Sequence, residues 1–148
     1  MAINIDEIDK LFLTLAESRL AAVTSIACLY TGKPFPSSCS PMALDPTPGI
    51  GFALDETFGR RFTQALVENP AIHDGAMMFG KGSIAGSYYL TGWSFRLFPP
   101  SSTVTSISNR GSAFNSCLAM SFVESVDRLY IVSGRYRARF SCGEIVAL

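Results

Sequence analysis

The stretch NPAIHDGAMMFGKG, residues 69–82, joins the end of one predicted helix to the start of one predicted strand. Pro70 ends the helix, because the residue before a proline avoids helical backbone angles. The apolar residues 75–79 then predict a buried strand, and the Gly-Lys-Gly sequence of residues 80–82 has the composition of a tight turn. We therefore expect a hairpin whose second strand covers residues 83–90.

Upstream of this stretch, the hydrophobic pattern predicts two helices and a strand. Apolar residues at helical spacing make residues 4–18 an amphipathic helix, and Asn4 with Glu7 resembles a capping pair. Residues 21–30 are apolar and β-branched, which predicts a buried strand. Residues 33–50 are a proline- and serine-rich loop, with at most one short strand around 50–54. Asp55 then caps a second helix, whose apolar face contains Phe58, Phe62, Ala65 and Leu66.

Downstream, the pattern predicts a connection, a helix and two strands. Residues 91–108 read as a connection, and residues 128–133 and 138–148 as the final strands around a Gly-Arg turn. Between the connection and the first of these strands, apolar residues mark a third helix: Phe114, Cys117, Leu118 and Phe122. The order of elements predicts one α/β domain over residues 1–148, with the helix 4–18 preceding a core (20–148) built on a mixed central β-sheet flanked by helices.

Composition narrows the function classes. Twelve basic and twelve acidic residues balance, which gives no electrostatic reason to expect nucleic acid or an anionic membrane as partner. The longest apolar run, residues 20–30, is about half of a bilayer span, so we expect a soluble, cytoplasmic protein. The four cysteines form no CxxC pair, and the two in apolar segments fit the core. His73 is the single histidine, which excludes a two-histidine metal site within one chain.

Three local patterns could carry chemistry, although each by itself fits a structural explanation better. Asp74 beside Gly75 could hold a metal or accept a proton, but Asp-Gly is common in turns. Residues 108–112 could bind phosphate at a helix start, or simply cap that helix. Three arginines alternate along the last part of the chain and could bind an anion or form a solvated strand edge: Arg135, Arg137 and Arg139.

Taken in order, these segments resemble the diadenylate cyclase domain, and the resemblance covers nearly the whole chain. Residues 5–10 resemble the family's amphipathic helix, and residues 18–22 the arginine-containing start of its first strand, which ends in Thr-Gly at residues 31–32. Residues 69–76 are similar to its leucine-histidine-aspartate-glycine-alanine motif. Tyr89-Leu90 resembles its tyrosine-leucine-proline strand end, and residues 123–127 the stretch before its last strands. The resemblance implies a diadenylate-cyclase-like fold.

The resemblance also implies a site. Active members condense two ATP molecules into cyclic di-AMP with a divalent metal, Mg²⁺ or Mn²⁺, between two facing domains. By position, Asp74 would be the catalytic or metal-contacting carboxylate, and Gly75 and Ala76 would line the nucleotide. Tyr89, or Tyr88 if the strand register differs by one, would lie near the adenine. A homodimer is implied if the facing arrangement is retained.

The sequence departs from the family where charge is needed. An ungapped alignment puts Asn115-Ser116-Cys117 in place of the family's arginine-histidine-arginine motif, and a shift puts Asn109-Arg110-Gly111 there instead. The family's second acidic position reads Ser133-Gly134-Arg135 here, which would weaken metal binding. Arg135 with Asn109 and Arg110 would then supply the phosphate-binding groups.

The sequence therefore predicts a degenerate diadenylate-cyclase-fold domain that binds an adenine nucleotide or a cyclic dinucleotide without turnover and without a required cofactor. The first alternative is an active diadenylate cyclase that uses Asp74 and a divalent metal. The second is a structural or interaction domain that binds no ligand. A pocket near Asp74 and Tyr89 that is filled by Trp93 or Phe95 would favour this last alternative.

Overall fold

The computed structural model describes residues 4–17, 24–99 and 111–148, which form an α/β fold of three α-helices and one seven-stranded sheet. The elements in chain order are α1 (Ile5–Glu17), β1 (Ser25–Thr31), β2 (Cys39–Pro41), α2 (Phe58–Glu68), β3 (Ala76–Lys81), β4 (Tyr89–Leu97), α3 (Ser112–Met120), β5 (Val126–Val132), β6 (Arg137–Ser141) and β7 (Glu144–Ala147). A short 3₁₀ helix, Pro70–His73, precedes β3. The predicted fold class is confirmed, and the architecture is consistent with a diadenylate-cyclase-like fold.

The sheet is mixed, as predicted, with strand order β2-β4-β3-β1-β5-β6-β7. The central strands β1 and β3 are parallel, and every other neighbouring pair is antiparallel. The amino ends of β1 and β3 therefore lie side by side at one edge of the sheet. The antiparallel strands β4 and β5 bring their carboxyl ends to that same edge, where the candidate site lies.

Helices cover both faces of the sheet, because strand side chains alternate between them. Helices α1 and α2 pack on one face, where Phe12 stacks on Tyr130 of β5 with ring centroids 4.3 Å apart. Helix α3 packs on the other face, where Phe114 meets Phe140 of β6 edge to face at 5.1 Å.

The predicted helices are found with adjusted ends. Helix α1 matches the predicted pattern up to Glu17, and Asn4 Oδ1 accepts a hydrogen bond from the Glu7 N–H at 2.9 Å, as a capping residue does. Asp55 does not cap α2 directly, since the N-cap is Thr57; its Oδ1 instead accepts from the Thr57 N–H and hydroxyl. Phe122 lies beyond the end of α3.

Residues 50–54, predicted to contain at most one short strand, form backbone hydrogen bonds with residues 88–90 but no regular strand. This segment runs beside the start of β4 but forms only one bridge, between Ala53 and Tyr89. The short strand of the long loop is instead β2, which pairs with the far end of β4.

The hairpin is present, but its second strand is displaced. Strand β4 begins at Tyr89 and continues to Leu97, through residues that the sequence assigned to a connection. The strand is irregular there, because Ser94 has a positive φ of 56° and the β3–β4 register shifts near Gly92. The last predicted strand is likewise two strands, β6 and β7, separated by Cys142 and Gly143 with φ of 47° and 85°.

No helix in the parts of the chain that the structure describes is both long enough and apolar enough to cross a bilayer. The predicted strand start at residues 18–22 lies outside the described residues.

Candidate functional site

A wide cleft of about 760 Å³ opens at the edge of the sheet where β1 and β3 begin. The first turn of α3 forms its second wall, and the carboxyl end of β4 its third. The cleft is lined by Thr24, Ile26, Met42, His73, Asp74, Gly75, Phe95, Arg96, Leu97, Ser112, Ala113 and Ser116. Its walls thus come from five separate segments, which only the sheet topology brings together.

The 3₁₀ helix positions Asp74 at the rim of this cleft. Asn69 fixes the start of that helix, since its Oδ1 accepts from the Ala71 N–H at 3.0 Å and its Nδ2 donates to the Pro46 carbonyl at 2.9 Å. The Asp74 N–H donates to the Ala71 carbonyl at 3.0 Å, which holds the backbone. The carboxylate itself points outward, with its side chain 73% exposed.

His73 lies next to this carboxylate. Its Nδ1 is 2.7 Å from the Pro70 carbonyl, and its Nε2 is 3.6 Å from Asp74 Oδ1. The second contact is an ion pair only when the imidazole is protonated.

Gly75 is required by packing. Its φ is +75°, and an added Cβ would lie 2.6 Å from the Phe95 carbonyl oxygen and 2.8 Å from Met42 Cε. This close approach lets the end of β4 reach the cleft. Ala76, the next residue, is fully buried as the first residue of β3, and it is not among the residues that line the cleft.

The structure separates Tyr88 and Tyr89 from this cleft. Tyr89 pairs with Gly80 at the far end of β3, four residues along the strand from Ala76, which is about 13 Å at the usual strand rise. Tyr89 is 48% exposed, and neither tyrosine lines the cleft. Tyr89, the predicted adenine contact, and the Asp74 carboxylate therefore lie at opposite ends of β3.

Tyr88 has a structural role at that far end. Its hydroxyl donates to Asp127 Oδ2, which also accepts from the Thr31 hydroxyl at 2.6 Å. The Lys81 ammonium group lies 4.7 Å from the centre of the Tyr88 ring. Burial, and then the bond to Asp127, raise the pKa of Tyr88 well above its ordinary value.

The structure places Arg135 and Arg139 in different surroundings. Arg135 is exposed in the turn between β5 and β6 and is not among the cleft residues. Arg139 is not on a solvated edge, because it pairs with Asp9 of α1 with both side chains largely buried. Asn109 and Arg110 lie outside the described residues.

A second hollow of about 620 Å³ adjoins the cleft. It shares Thr24, Ser112 and Ala113 with the cleft and extends past Ser133 and Tyr136. Residues 133–135, which replace the second acidic position of the family that the sequence resembles, border this hollow through Ser133. The Ser133 hydroxyl donates to the Tyr136 carbonyl at 3.0 Å.

Sequence reasoning missed Arg96, which lies in the cleft with Asp74. Phe95 pairs with Ala76 across β3 and β4, so the next residue of β4 comes to the mouth of the cleft. Arg96 is exposed, and among the described residues no hydrogen bond or ion pair engages its guanidinium. Extending the predicted strand through residue 97 would have revealed it.

The donor set does not fit a preformed site for Mg²⁺ or Mn²⁺. Asp74 is the only acidic residue in the described lining of the cleft. Within the described ranges, no group of three histidine, cysteine or acidic residues is close enough together to hold a metal ion. Cys117 is fully buried beneath the cleft wall, and burial raises the pKa of its thiol far above the ordinary range, which disfavours the thiolate that binds metal.

The cleft is open. Trp93 packs on the opposite face of the sheet against Phe58 and Phe62, and its indole N–H donates to the Gly49 carbonyl at 3.0 Å. Phe95 lies along the cleft without filling it. The filled pocket that would favour a structural domain is therefore not found at Asp74.

Comparisons with known proteins show what this fold is similar to. No family model matches the chain, and no curated protein matches it. A crystal structure of a hypothetical membrane spanning protein from Bacillus cereus aligns with a TM-score of 0.64 and 12% identity, covering 99% of this chain and 64% of that one. At this identity, the likeness shows a shared fold. Because the alignment covers 64% of that protein, this chain spans less than two thirds of its length.

A second solved structure, a double mutant of DacA from Staphylococcus aureus, aligns with a TM-score of 0.48 and 17% identity. The alignment covers 97% of this chain and 84% of that one. The likeness is too distant to assign a family.

Proposed function

We propose that this chain binds an adenine nucleotide or a cyclic dinucleotide in the cleft at Asp74 and does not turn it over. The observation that carries the proposal is the cleft itself, in which the His73-Asp74-Gly75 segment meets the first turn of α3 and the end of β4. The sequence resemblance had linked the first two of these segments to nucleotide binding.

The lining of the cleft suits a nucleotide. Ile26, Met42 and Phe95 give it an apolar surface on which a base can lie. The hydroxyls of Ser112 and Ser116 and the amino end of α3 supply donors for phosphate oxygens. A ligand with an apolar ring system and an anionic group fits this combination.

The absence of turnover is proposed because the described lining of the cleft contains one carboxylate and one arginine, which is little charge for phosphoryl transfer. That reaction depends on metal ions and cationic side chains that neutralise phosphate charge. Asp74 stands without a second carboxylate in the described lining, and residues 115–117, at the ungapped position of the family's charged motif, contain no charge. A bound nucleotide would therefore be recognised without being converted.

An active diadenylate cyclase is the second candidate. The exposure of the Asp74 carboxylate at the cleft favours it, because a proton-accepting or metal-contacting group must be reachable. In that case Mg²⁺ or Mn²⁺ would have to be held mainly by the substrate phosphates.

One experiment separates the candidates. Purified protein is incubated with ATP and Mg²⁺ or Mn²⁺, and bound and released nucleotides are identified by mass spectrometry. Asp74→Asn is compared with Asp6→Asn, a matched change at an exposed position of α1. Retained nucleotide without product supports the proposal. If cyclic di-AMP is produced by the parent and by Asp6→Asn but not by Asp74→Asn, the protein is an active cyclase. If neither a bound nucleotide nor a product is detected, the structural or interaction domain is the remaining candidate.

Nucleic acid and membrane are not among the proposed partners. A homodimer stays a prediction from the family resemblance. Sedimentation of the protein with and without nucleotide tests it.

A further inference from the structure

Arg96 is the cleft residue with charge to offer an anion. Its guanidinium is exposed at the mouth of the cleft, and among the described residues it has no hydrogen-bonding or ionic partner. Other arginines are engaged: Arg139 pairs with Asp9, and the Arg61 guanidinium lies 4.4 Å from the centre of the Phe52 ring. Ser112 and Ser116 line the same cleft, and a guanidinium can donate two parallel hydrogen bonds to phosphate oxygens.

The charge around Arg96 limits the kind of phosphate. Beside His73, the described lining contains one basic and one acidic residue, Arg96 and Asp74, whose opposite charges balance. A triphosphate without metal would bring about four negative charges to this surface, and Asp74 would repel them. A phosphodiester brings one negative charge per phosphate, which a single arginine can balance.

We propose that Arg96 is the phosphate-contacting residue of the cleft and that the cleft prefers a singly charged phosphodiester to a free triphosphate. The inference rests on the proposed nucleotide binding and deepens it by naming the contact residue and the ligand's charge class. In this proposal Asp74 disfavours metal-free triphosphates by charge repulsion.

The test measures binding by isothermal titration calorimetry in EDTA, with cyclic di-AMP and ATP as probes. For the parent protein we expect tighter binding of cyclic di-AMP than of ATP. Loss of a charged hydrogen-bond donor is expected to weaken cyclic di-AMP binding about 10- to 100-fold in Arg96→Ala. Arg96→Lys should lose less, because it keeps the charge but not the paired donors.

Arg60→Ala is the matched control, since it removes the same charge from an exposed position of α2 outside the cleft. We expect its affinity to stay within about twofold of the parent's. Far-UV circular dichroism checks that each variant is folded. If Arg96→Ala does not fold, Arg96→Lys is used in its place for the binding comparison.

The outcomes are distinguishable. If the parent binds cyclic di-AMP and Arg96→Ala, or Arg96→Lys in its place, binds it equally well, the assignment of Arg96 is overturned while the proposed function stands. ATP that binds as tightly as cyclic di-AMP in EDTA overturns the charge preference. A parent protein that binds neither nucleotide overturns the proposed function, and this inference with it.

Discussion

At the scale of single residues, Gly75 connects stability to the site. Its positive φ and the 2.6 Å approach of the Phe95 carbonyl leave no room for a side chain. We expect Gly75→Ala to lower the free energy of unfolding by about 1–3 kcal/mol, because the backbone must leave a strained region or β4 must move. Urea denaturation measures the loss.

Gly59→Ala is the control for that substitution. Gly59 lies in α2, and an added Cβ would meet nothing within 4 Å. Because alanine has a higher helix propensity than glycine, the free energy of unfolding of this variant should rise by about 0.5–1 kcal/mol. Equal losses in both variants would mean that crowding at Phe95 is not the cause.

Two buried tyrosines make stability depend on pH. Burial, followed by the bond each hydroxyl donates to an aspartate, raises the pKa of Tyr88 and of Tyr130 well above the ordinary value near 10. Their contribution is complete below about pH 10 and is lost above it, because the unfolded chain releases these protons first. We expect unfolding free energy to fall by about 1.4 kcal/mol per pH unit for each tyrosine in this range.

Tyr88→Phe tests the tyrosine prediction. Urea denaturation at several pH values between 9 and about 11.5 gives the free energy of unfolding as a function of pH. In Tyr88→Phe this free energy should fall less steeply than in the parent, by about 1.4 kcal/mol per pH unit, the contribution of one tyrosine. Tyr89→Phe, which removes an exposed hydroxyl next to it in the chain, is the comparison. If the unfolding free energy falls equally steeply with pH in the parent and in both variants, titratable groups other than Tyr88 cause the fall.

At the scale of elements, α1 is held to the sheet by a buried polar contact as well as by its apolar face. Asp9 accepts from the Tyr130 hydroxyl at 2.5 Å and pairs with Arg139 of β6. Asp9→Asn leaves Arg139 without its counter-charge, which should cost about 1–3 kcal/mol. Hydrogen exchange should accelerate in α1, about tenfold for each 1.4 kcal/mol of lost local stability.

Asp6→Asn provides the control in the same helix. Asp6 is exposed in the first turn, where its charge interacts with the helix amino end. The substitution should cost a few tenths of a kcal/mol, up to about 1. If both variants accelerate exchange in α1 equally, the contact with Arg139 does not hold the helix.

Elements with strong periodic patterns could be predicted from the sequence, and irregular ones could not. Helix α1 and strand β3 follow from apolar spacing. Strand β4 was misplaced because Gly92 and Ser94 interrupt it, and Ser94 adopts a left-handed conformation that tertiary packing imposes. The turn at Cys142 was missed because cysteine is not typical of a positive φ, and the strand was therefore not divided there.

At the scale of the whole molecule, the site depends on topology more than on local pattern. The sequence placed Asp74 correctly between a helix and a strand, and it lies at the cleft. Arg96 belongs to no local motif and reaches the cleft through the antiparallel pairing of β4 with β3, so finding it requires the full extent of β4. The same pairing puts Tyr89 at the other end of β3, which a linear motif does not reveal.

The four cysteines report on the whole fold. Cys142 is exposed, Cys39 is half-buried, and Cys28 and Cys117 are fully buried between the sheet and α3. Burial raises the pKa of the thiols of Cys39, Cys28 and Cys117, which further slows their reaction.

With a thiol reagent such as Ellman's reagent at neutral pH, we expect Cys142 to react first and Cys39 more slowly. Cys28 and Cys117 should react together, at a rate that follows the urea dependence of global unfolding, because both are fully buried in the core that α3 covers. Cys142→Ser should remove the fast phase alone. Separate, urea-independent rates for Cys28 and Cys117 would show instead that α3 detaches locally, and the cleft wall it forms would then be a movable one.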